Sequence, residues 1–498
     1  MVQLCGVYGL SSLLGRALAF VLLPLYTRVL TPEEYGIRAM VSLGVELMML
    51  LTACGLKEAI NRFYAGGDAT RPVHPEAAST GLMTHALLVG AGAGLTLVFA
   101  PWLAGPLLGN PALAEYLRLG AIAGFFMHVH EGALVYLRAE RRATTVALVS
   151  LATVLGTVAL NLLFVVGFRW GVAGIFYAEM LVFGVSGVIF TLRGLREVGT
   201  TFAPDISGAM IRFGVPLMLV PFAALFVSRA DVMFLTHYGS LASVGIYALS
   251  VQCAQVLQLA VIYPFRYFWD SQQFHVVRHD TEGRTFRRMF QWLTSLAIVA
   301  AFACAVGAEH VIRLMAAPAF HDAARVVPIL VIAYVLEGIY LFFNSALLVR
   351  NRTGLVGLVA VLTAAVNLGA NTLLVPAFLA TGAASARVIA QAVMVVATFV
   401  MAQRLSRQHP DLRGLAIVST GAVVLFLVAQ ALPVLPLIVV LAVKGLLVLA
   451  LGALALWRGV DRSDTRRAVE VLHEGLRRRR ARRVRSREIK GLLERGDA

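Results

Sequence analysis

The sequence predicts an all-α polytopic membrane protein of about 14 transmembrane helices: two six-helix lobes in parallel repeat around a central cavity, followed by two C-terminal helices. Composition, recurring apolar runs, and landmarks that return near mid-chain predict it. Of the 498 residues 59% are apolar and 14% charged, with a mean hydropathy of +0.80. Soluble domains use roughly 45–50% apolar and about 25% charged residues, so a cytosolic enzyme is excluded.

Apolar runs long enough for a hydrocarbon layer of roughly 30 Å fall near 5–28, 37–56, 79–100, 115–137, 144–167, 171–192, 213–236 and 243–266. Six more lie near 289–308, 325–349, 354–375, 380–403, 414–434 and 436–457. The first run is apolar almost from Met1 and has neither a basic leader nor a small-residue cleavage site, so it reads as a retained helix.

Charge sets the expected orientation. The 43 basic residues are 40 Arg and 3 Lys, against 27 acids. With the N-terminus inside, 19 basic residues fall in inner loops before the tail and six at outer ends: Arg28, Arg38, Arg118, Arg169, Arg313 and Arg325. That asymmetry places both termini in the cytoplasm. The organisation expected is an N-terminal lobe (1–192), a cytoplasmic inter-lobe linker (193–212), a C-terminal lobe (213–404), two additional helices (405–457) and a basic cytoplasmic tail (458–498).

Landmarks recur about 210 residues apart. Gly36-Ile37, opening the second helix, matches Gly245-Ile246, opening the eighth; Arg138 matches Arg350, Asn161 matches Asn371, and Gly174 matches Gly382. The offsets of 209, 212, 210 and 208 suggest two copies of a six-helix unit, although such residues recur in any membrane protein. Six helices return the chain to the same side, so the copies share an orientation and leave a cleft between them.

Charges inside spans are costly and tend to face the bundle interior or water. Here they are Arg16, Glu46, Glu131, Glu179, Arg229, Asp231, Glu337, Arg387 and Lys444. Arg16 and Arg229 sit in the first helix of each copy, where two cations lining one cavity would bind an anion such as a diphosphate. Arg229 and Asp231, two residues apart, point to different sides of their helix and do not neutralise each other. The alternative use of Arg229 is a structural pair with Glu46 or another carboxylate. Gln252, Gln255 and Gln258 recur every three residues, placing amides on one face for sugar hydroxyls or for neighbouring helices. Glu46, Glu179, Asp231, Glu337, Arg387 and Lys444 are coupling or structural charges. Desolvated glutamates among them could exchange protons or stay permanently paired. Pro24, Pro216 and Pro221 interrupt helices 1 and 7 at corresponding places, as gate hinges or as fixed kinks.

Four remaining features resolve more simply. Cys5, Cys54, Cys253 and Cys304 lie singly in apolar runs, which argues against a disulfide framework or a zinc site. His85, His128 and His130 lack metal-ligand spacing and read as polar packing or surface residues. No metal or cofactor is expected. The tail from Arg458 holds 14 basic residues with loosely spaced Leu, Ile and Val, suiting an amphipathic segment on anionic membrane lipids rather than nucleic acid.

The run LLPLYTRVLTPEEYGIRAM at 22–40 resembles the polysaccharide-transport family of the multidrug/oligosaccharidyl-lipid/polysaccharide flippase superfamily, the O-antigen and exopolysaccharide repeat-unit flippases. Similar phrases are SRADVMFLTHYGSLASVGIYALS at 228–250, ALNLLFVVGFRWGVAG at 159–174 and NLGANTLLVPAFLATGAASA at 367–386. The resemblance implies a cavity lined by helices 1, 2, 7 and 8 in a bacterial inner-membrane protein. It further implies an undecaprenyl-diphosphate-linked oligosaccharide as substrate, with Arg16 and Arg229 at the diphosphate and the three glutamines at the glycan. A polysaccharide polymerase and glycosyltransferases would be its partners, and no catalysis is implied. A lipid-linked peptidoglycan-precursor flippase and a multidrug exporter of the same superfamily are the rivals. The exporter would be expected to carry an acidic pocket. A polymerase or ligase would need a sizeable outer loop, which the spans do not leave.

Overall fold

The computed structural model describes residues 22–65, 75–279, 283–350, 352–405, 410–432 and 436–459. Among the described residues every regular element is helical. In chain order they are α1 (Leu23–Val29), α2 (Pro32–Ala53), α3 (Leu56–Ile60), α4 (Pro75–Leu108), α5 (Ala114–Ala139), α6 (Ala143–Asn161), α7 (Gly171–Val198) and α8 (Pro204–Tyr238). There follow α9 (Leu241–Leu257), α10 (Tyr263–His279), α11 (Arg284–Met315), α12 (Ala323–Val349), α13 (Thr353–Leu405), α14 (Leu412–Gln430) and α15 (Leu437–Gly459). Single π-helical turns continue α3, α6 and α9 at Asn61–Ala65, Leu162–Gly167 and Gln258–Ile262.

Ten helices among the described residues are long and apolar enough to cross a membrane. The expected spans at 354–375 and 380–403 form the single element α13, broken at Leu379, whose φ of 47° and ψ of −124° turn the chain between two helices. The described residues of the first expected span begin at Leu22, so Arg16, Cys5 and most of that helix lie outside them, as does the basic tail from residue 460. Helical structure extends into the expected linker, since α7 runs to Val198 and α8 starts at Pro204.

Helix starts follow local chemistry. At α2 the Thr31 hydroxyl accepts from the Glu34 N–H at 3.2 Å while Glu34 Oε2 accepts from the Thr31 N–H at 2.9 Å, a reciprocal capping box ahead of Pro32. At α9 Ser240 accepts from the Ser243 N–H. The helix starts therefore precede the apolar runs, at Pro32 ahead of the run from 37 and at Leu241 ahead of the run from 243. Gly36 is the fifth residue of α2 and Gly245 the fifth of α9, instead of opening them.

The chain divides into two units, residues 1–281 with 300–408, and residues 282–299 with 409–498. In the first, the repeat is visible in atomic contacts. A Cβ built on Gly36 would collide with the Leu241 carbonyl oxygen, and one built on Gly245 with the Pro32 carbonyl oxygen. Gly36 and Gly245, and likewise Pro32 and Leu241, are 209 residues apart, so the crossing of α2 and α9 is reciprocal, like an isologous contact across a two-fold axis. The same correspondence holds deeper in each copy. Gly174 lies against the backbone of Phe164, three residues after Asn161, and Gly382 against that of Leu374, three residues after Asn371. Both asparagines are buried and donate to the carbonyl four residues back, Asn161 to Thr157 and Asn371 to Asn367.

In the second unit α14 and α15 pack together, with Leu451 and Leu454 against Gly421. Asp411 caps α14 through the Gly414 N–H at 3.0 Å and accepts from Gln291. Only 11% and 6% of their spanning windows are buried, although both helices are strongly apolar; such faces suit acyl chains, not water.

Candidate functional site

The two copies meet along α2, α8 and α9, and backbone approaches close that seam near both ends of α2. One is the Gly36–Gly245 crossing. At the other, Cys54 (φ 48°) and Gly55 (φ 62°) take left-handed conformations that break α2 from α3, and Gly214 of α8 lies against their carbonyls. A side chain at Gly55 would be strained and would also collide with Gly214. Leu56, Ala59, Ala77 and Met210 pack beside this approach, with the Arg62 guanidinium 4.2 Å from the Phe213 ring centroid. At 1.5 Å per residue the two closures stand about 28 Å apart along α2, close to the thickness of a hydrocarbon layer.

Between them lie Glu46 of α2 and Arg229 of α8, two of the charged side chains singled out in the sequence. Leu43, Gly44 and Leu47 of α2 and Leu225, Arg229 and Met233 of α8 line a small, largely apolar cleft. Arg229 and Glu46 are exposed, and among the described residues neither has an ion-pair partner, so the two are not paired with each other. Asp231 points elsewhere: its carboxylate meets Arg387 of α13 at 2.6 Å and accepts from the Tyr247 hydroxyl. Arg387 also donates to the Ser228 carbonyl, so α8, α9 and α13 are tied by one buried cluster. Residues two apart are turned by about 200° on a helix, which separates the two side chains. Asp231 sinks into its own lobe, and Arg229 faces away from it.

The three glutamines share a face but not a fate. Gln252 accepts from the Tyr35 hydroxyl of α2, bridging the copies; Gln255 is exposed; Gln258 is buried and donates to Glu337 at 2.6 Å. Glu179 of α7 lies 3.8 Å from Arg38, whose guanidinium covers the Tyr26 ring at 4.8 Å. Glu131 pairs with Lys57 of α3. Lys444 is half-buried on α15, in the second unit. Pro216 and Pro221 lie inside a continuous α8, and Pro24 occupies the first turn of α1, where a missing N–H costs nothing. Among the described residues no three His, Cys, Asp or Glu side chains gather as a metal site, and Cys54, Cys253 and Cys304 are free thiols.

Sequence reasoning placed Arg38 and Lys57 in flanking segments and so missed both as partners of intramembrane carboxylates. The Thr31-Pro-Glu-Glu34 box carried the signal for Arg38, since it starts α2 early enough to put that arginine nearly two turns inside. Tyr35 and Tyr247, whose hydroxyls bridge helices, had no signal beyond being apolar-compatible donors.

This arrangement defines a helical transporter fold. The match to solved structures is extensive: a lipid II flippase, MurJ, in an inward closed conformation aligns over 92% of this chain and 99% of its own, with a TM-score of 0.70 at 11% identity. An inward-facing multidrug-resistance transporter of the MATE family and MOP superfamily covers 78% of this chain and 94% of its own, with a TM-score of 0.62 at 16% identity. A MOP-superfamily transporter from Pyrococcus furiosus, described as having a binding pocket of reversed polarity, covers 80% and 95%, with a TM-score of 0.51 at 15% identity. At such identities the likeness is one of fold. A family described as "Polysaccharide biosynthesis protein" matches residues 2–267, more than half of the sequence, and the chain belongs to that family. No curated protein matches it significantly by sequence.

Proposed function

We propose that the chain is a flippase that carries an undecaprenyl-diphosphate-linked oligosaccharide repeat unit across the bacterial cytoplasmic membrane by alternating access, without making or breaking a bond. The observation that carries this reading is Arg229: a guanidinium exposed on α8, at the seam of two repeats and in an apolar cleft, with no carboxylate partner among the described residues. An uncompensated cation there is costly unless water or an anion meets it. Membership of a polysaccharide-biosynthesis family supports a lipid-linked, anionic intermediate as that ligand. Arg16 is the second diphosphate ligand in this proposal, and Gln255, with Gln252 when Tyr35 releases it, takes the glycan. Glu179, Asp231, Glu337 and Arg387 hold helices together, and Glu46 remains for the hollow. The full proposal has fourteen spans, both termini in the cytoplasm, the tail on anionic lipid, and polymerase and glycosyltransferases as pathway partners.

Moving a diphosphate and many hydroxyls through hydrocarbon costs several kcal/mol per polar group and far more per charge. A wet, cationic seam lowers that cost while the prenyl chain stays in lipid, and rocking of one copy against the other changes the side of access. Losing one charge-assisted bond to phosphate is worth about 1.5–3 kcal/mol, or roughly ten- to hundredfold in binding. Arg229→Ala and Arg16→Ala should therefore stop glycan export in a flippase-deficient strain while the protein accumulates normally. Lysine at either position should retain part of the activity. Unimpaired export in both single variants and the double variant would overturn the reading. The extensive fold match to a lipid II flippase favours a second reading, transport of a lipid-linked peptidoglycan precursor, and rescue of a strain lacking that essential activity decides between them.

A further inference from the structure

We propose that the apolar cleft beside Arg229 is the seat of the first isoprene units of a polyprenyl diphosphate, with the guanidinium at the junction of chain and phosphate. This rests on the transport reading and adds the place where the lipid part of the substrate is held.

Leu43 and Leu47 of α2, Leu107 of α4 and Leu225 and Met233 of α8 surround Arg229 in one cleft. Leu225, Arg229 and Met233 recur every four residues, so they form one stripe of α8 with the arginine between two hydrocarbon side chains. α4 comes close enough that a Cβ added to Gly44 would stand 3.1 Å from Leu107 Cδ1. Among the described residues no carboxylate lines this cleft.

The two sides of α2 differ. At about 100° per residue, Tyr35, Ser42 and Glu46 fall within about 40° of one another, and their mean direction is roughly a third of a turn from that of Leu43, Gly44 and Leu47. The first group is polar. Ser42 and Glu46 are exposed, and the Tyr35 hydroxyl donates to Gln252 of α9, one turn before the exposed Gln255. The second group belongs to the apolar cleft. α2 therefore separates a polar side, suited to sugar hydroxyls, from a hydrocarbon side that carries one cation.

That combination selects among anions. A free diphosphate would shed water against leucine side chains and gain a single guanidinium in return. A phospholipid places glycerol and two ester groups between its phosphate and its chains, and the cleft offers those polar groups no partner. In a prenyl diphosphate the phosphate is joined directly to the hydrocarbon. Arg229 likewise stands only about 6 Å along the helix from Leu225 on one side and from Met233 on the other. The glycan, beyond the phosphates, then lies toward the polar side of α2, and the remainder of the chain stays among acyl chains.

Met233 is 38% exposed, so a reagent reaches its position. The full-length protein with Cys5→Ala, Cys54→Ala, Cys253→Ala and Cys304→Ala carries either Met233→Cys, as reporter in the cleft, or Gln255→Cys, as reporter on the polar side. Each is labelled with N-ethylmaleimide in detergent micelles. Farnesyl diphosphate, titrated to about 1 mM, should slow labelling of the Met233→Cys protein about tenfold and leave the Gln255→Cys protein unchanged. Inorganic diphosphate, farnesol and phosphatidylglycerol at the same concentration should each slow it less than about twofold. Adding Arg229→Ala should raise the farnesyl diphosphate concentration needed roughly ten- to hundredfold. Any of four results overturns the seat: no slowing by farnesyl diphosphate, equal slowing by inorganic diphosphate or by phosphatidylglycerol, slowing of the Gln255→Cys protein instead, or undiminished slowing with Arg229→Ala. If the Met233→Cys protein fails to accumulate, Leu47→Cys on the facing helix takes its place with the same expected outcomes. Glycan export by Arg229→Ala reads the transport proposal separately. Lost export with an unprotected cleft overturns the seat alone, whereas a protected cleft with unimpaired export overturns the transport reading and leaves the seat.

Discussion

Asp231 and Arg387 carry full charges yet are 1% and 9% exposed, and they survive in the bundle because each satisfies the other. The Tyr247 hydroxyl donates to Asp231 and the Ser228 carbonyl accepts from Arg387, whose buried Nε has no hydrogen-bond partner among the described residues. Removing one member of such a pair leaves an uncompensated buried charge, at about 3–5 kcal/mol. Asp231→Ala and Arg387→Ala should therefore each lower the thermal midpoint of the purified protein, measured by tryptophan fluorescence in detergent. The double variant should lose less than the sum of the two, because no charge is then stranded. Arg229→Ala, by contrast, should leave the midpoint unchanged, since it breaks no pair among the described residues. These two arginines look alike in the sequence. Their difference lies in what stands opposite, Asp231 in one case and a cleft in the other.

Among the elements, α2 and α9 carry the clearest constraint. Their reciprocal crossing leaves no room for a Cβ at Gly36 or at Gly245, and in each case the obstacle is the partner's backbone, which cannot swing aside. Gly36→Ala and Gly245→Ala should thus harm accumulation in the membrane to a similar degree, each by about 1–3 kcal/mol of overpacking. Gly307, whose added Cβ would meet nothing, is the matched control in which alanine is expected to be neutral. Unequal effects of the two crossing variants would refute the pseudo-symmetric reading of the contact. The repeat itself was legible in the sequence, because glycines at matching offsets of 209 and 208 mark where helices touch. Helix starts were less legible. Apolar runs locate the hydrocarbon-facing middle of a helix, whereas the capped first turn of α2 is polar and resembles a loop.

At the scale of the whole molecule, an even number of helices per copy and the excess of arginine in alternate loops argue for one orientation. Some of that arginine also has structural work: Arg142 and Arg193 both bond Glu197, at 2.9 and 3.1 Å, and tie the ends of α6 and α7. Reporter fusions after Arg141 and after Arg352 should read cytoplasmic, and one at Ala317 should read external. Any other pattern would overturn the placement of both termini in the cytoplasm proposed above. The apolar helices α14 and α15 belong to the second unit together with residues 282–299, and little of either is buried.

Hydropathy, loop charge and residue spacing, all properties of the chain taken one segment at a time, were enough to establish a helical membrane protein of duplicated design and to pick out its intramembrane charges. Spacing along a helix also predicted that Arg229 and Asp231 would part company. Which charges are spent and which remain available was decided by tertiary structure alone. An ion pair such as Arg387 with Asp231, or Lys57 with Glu131, joins residues 156 or 74 positions apart, and its energy depends on a few ångströms of approach that no local pattern encodes.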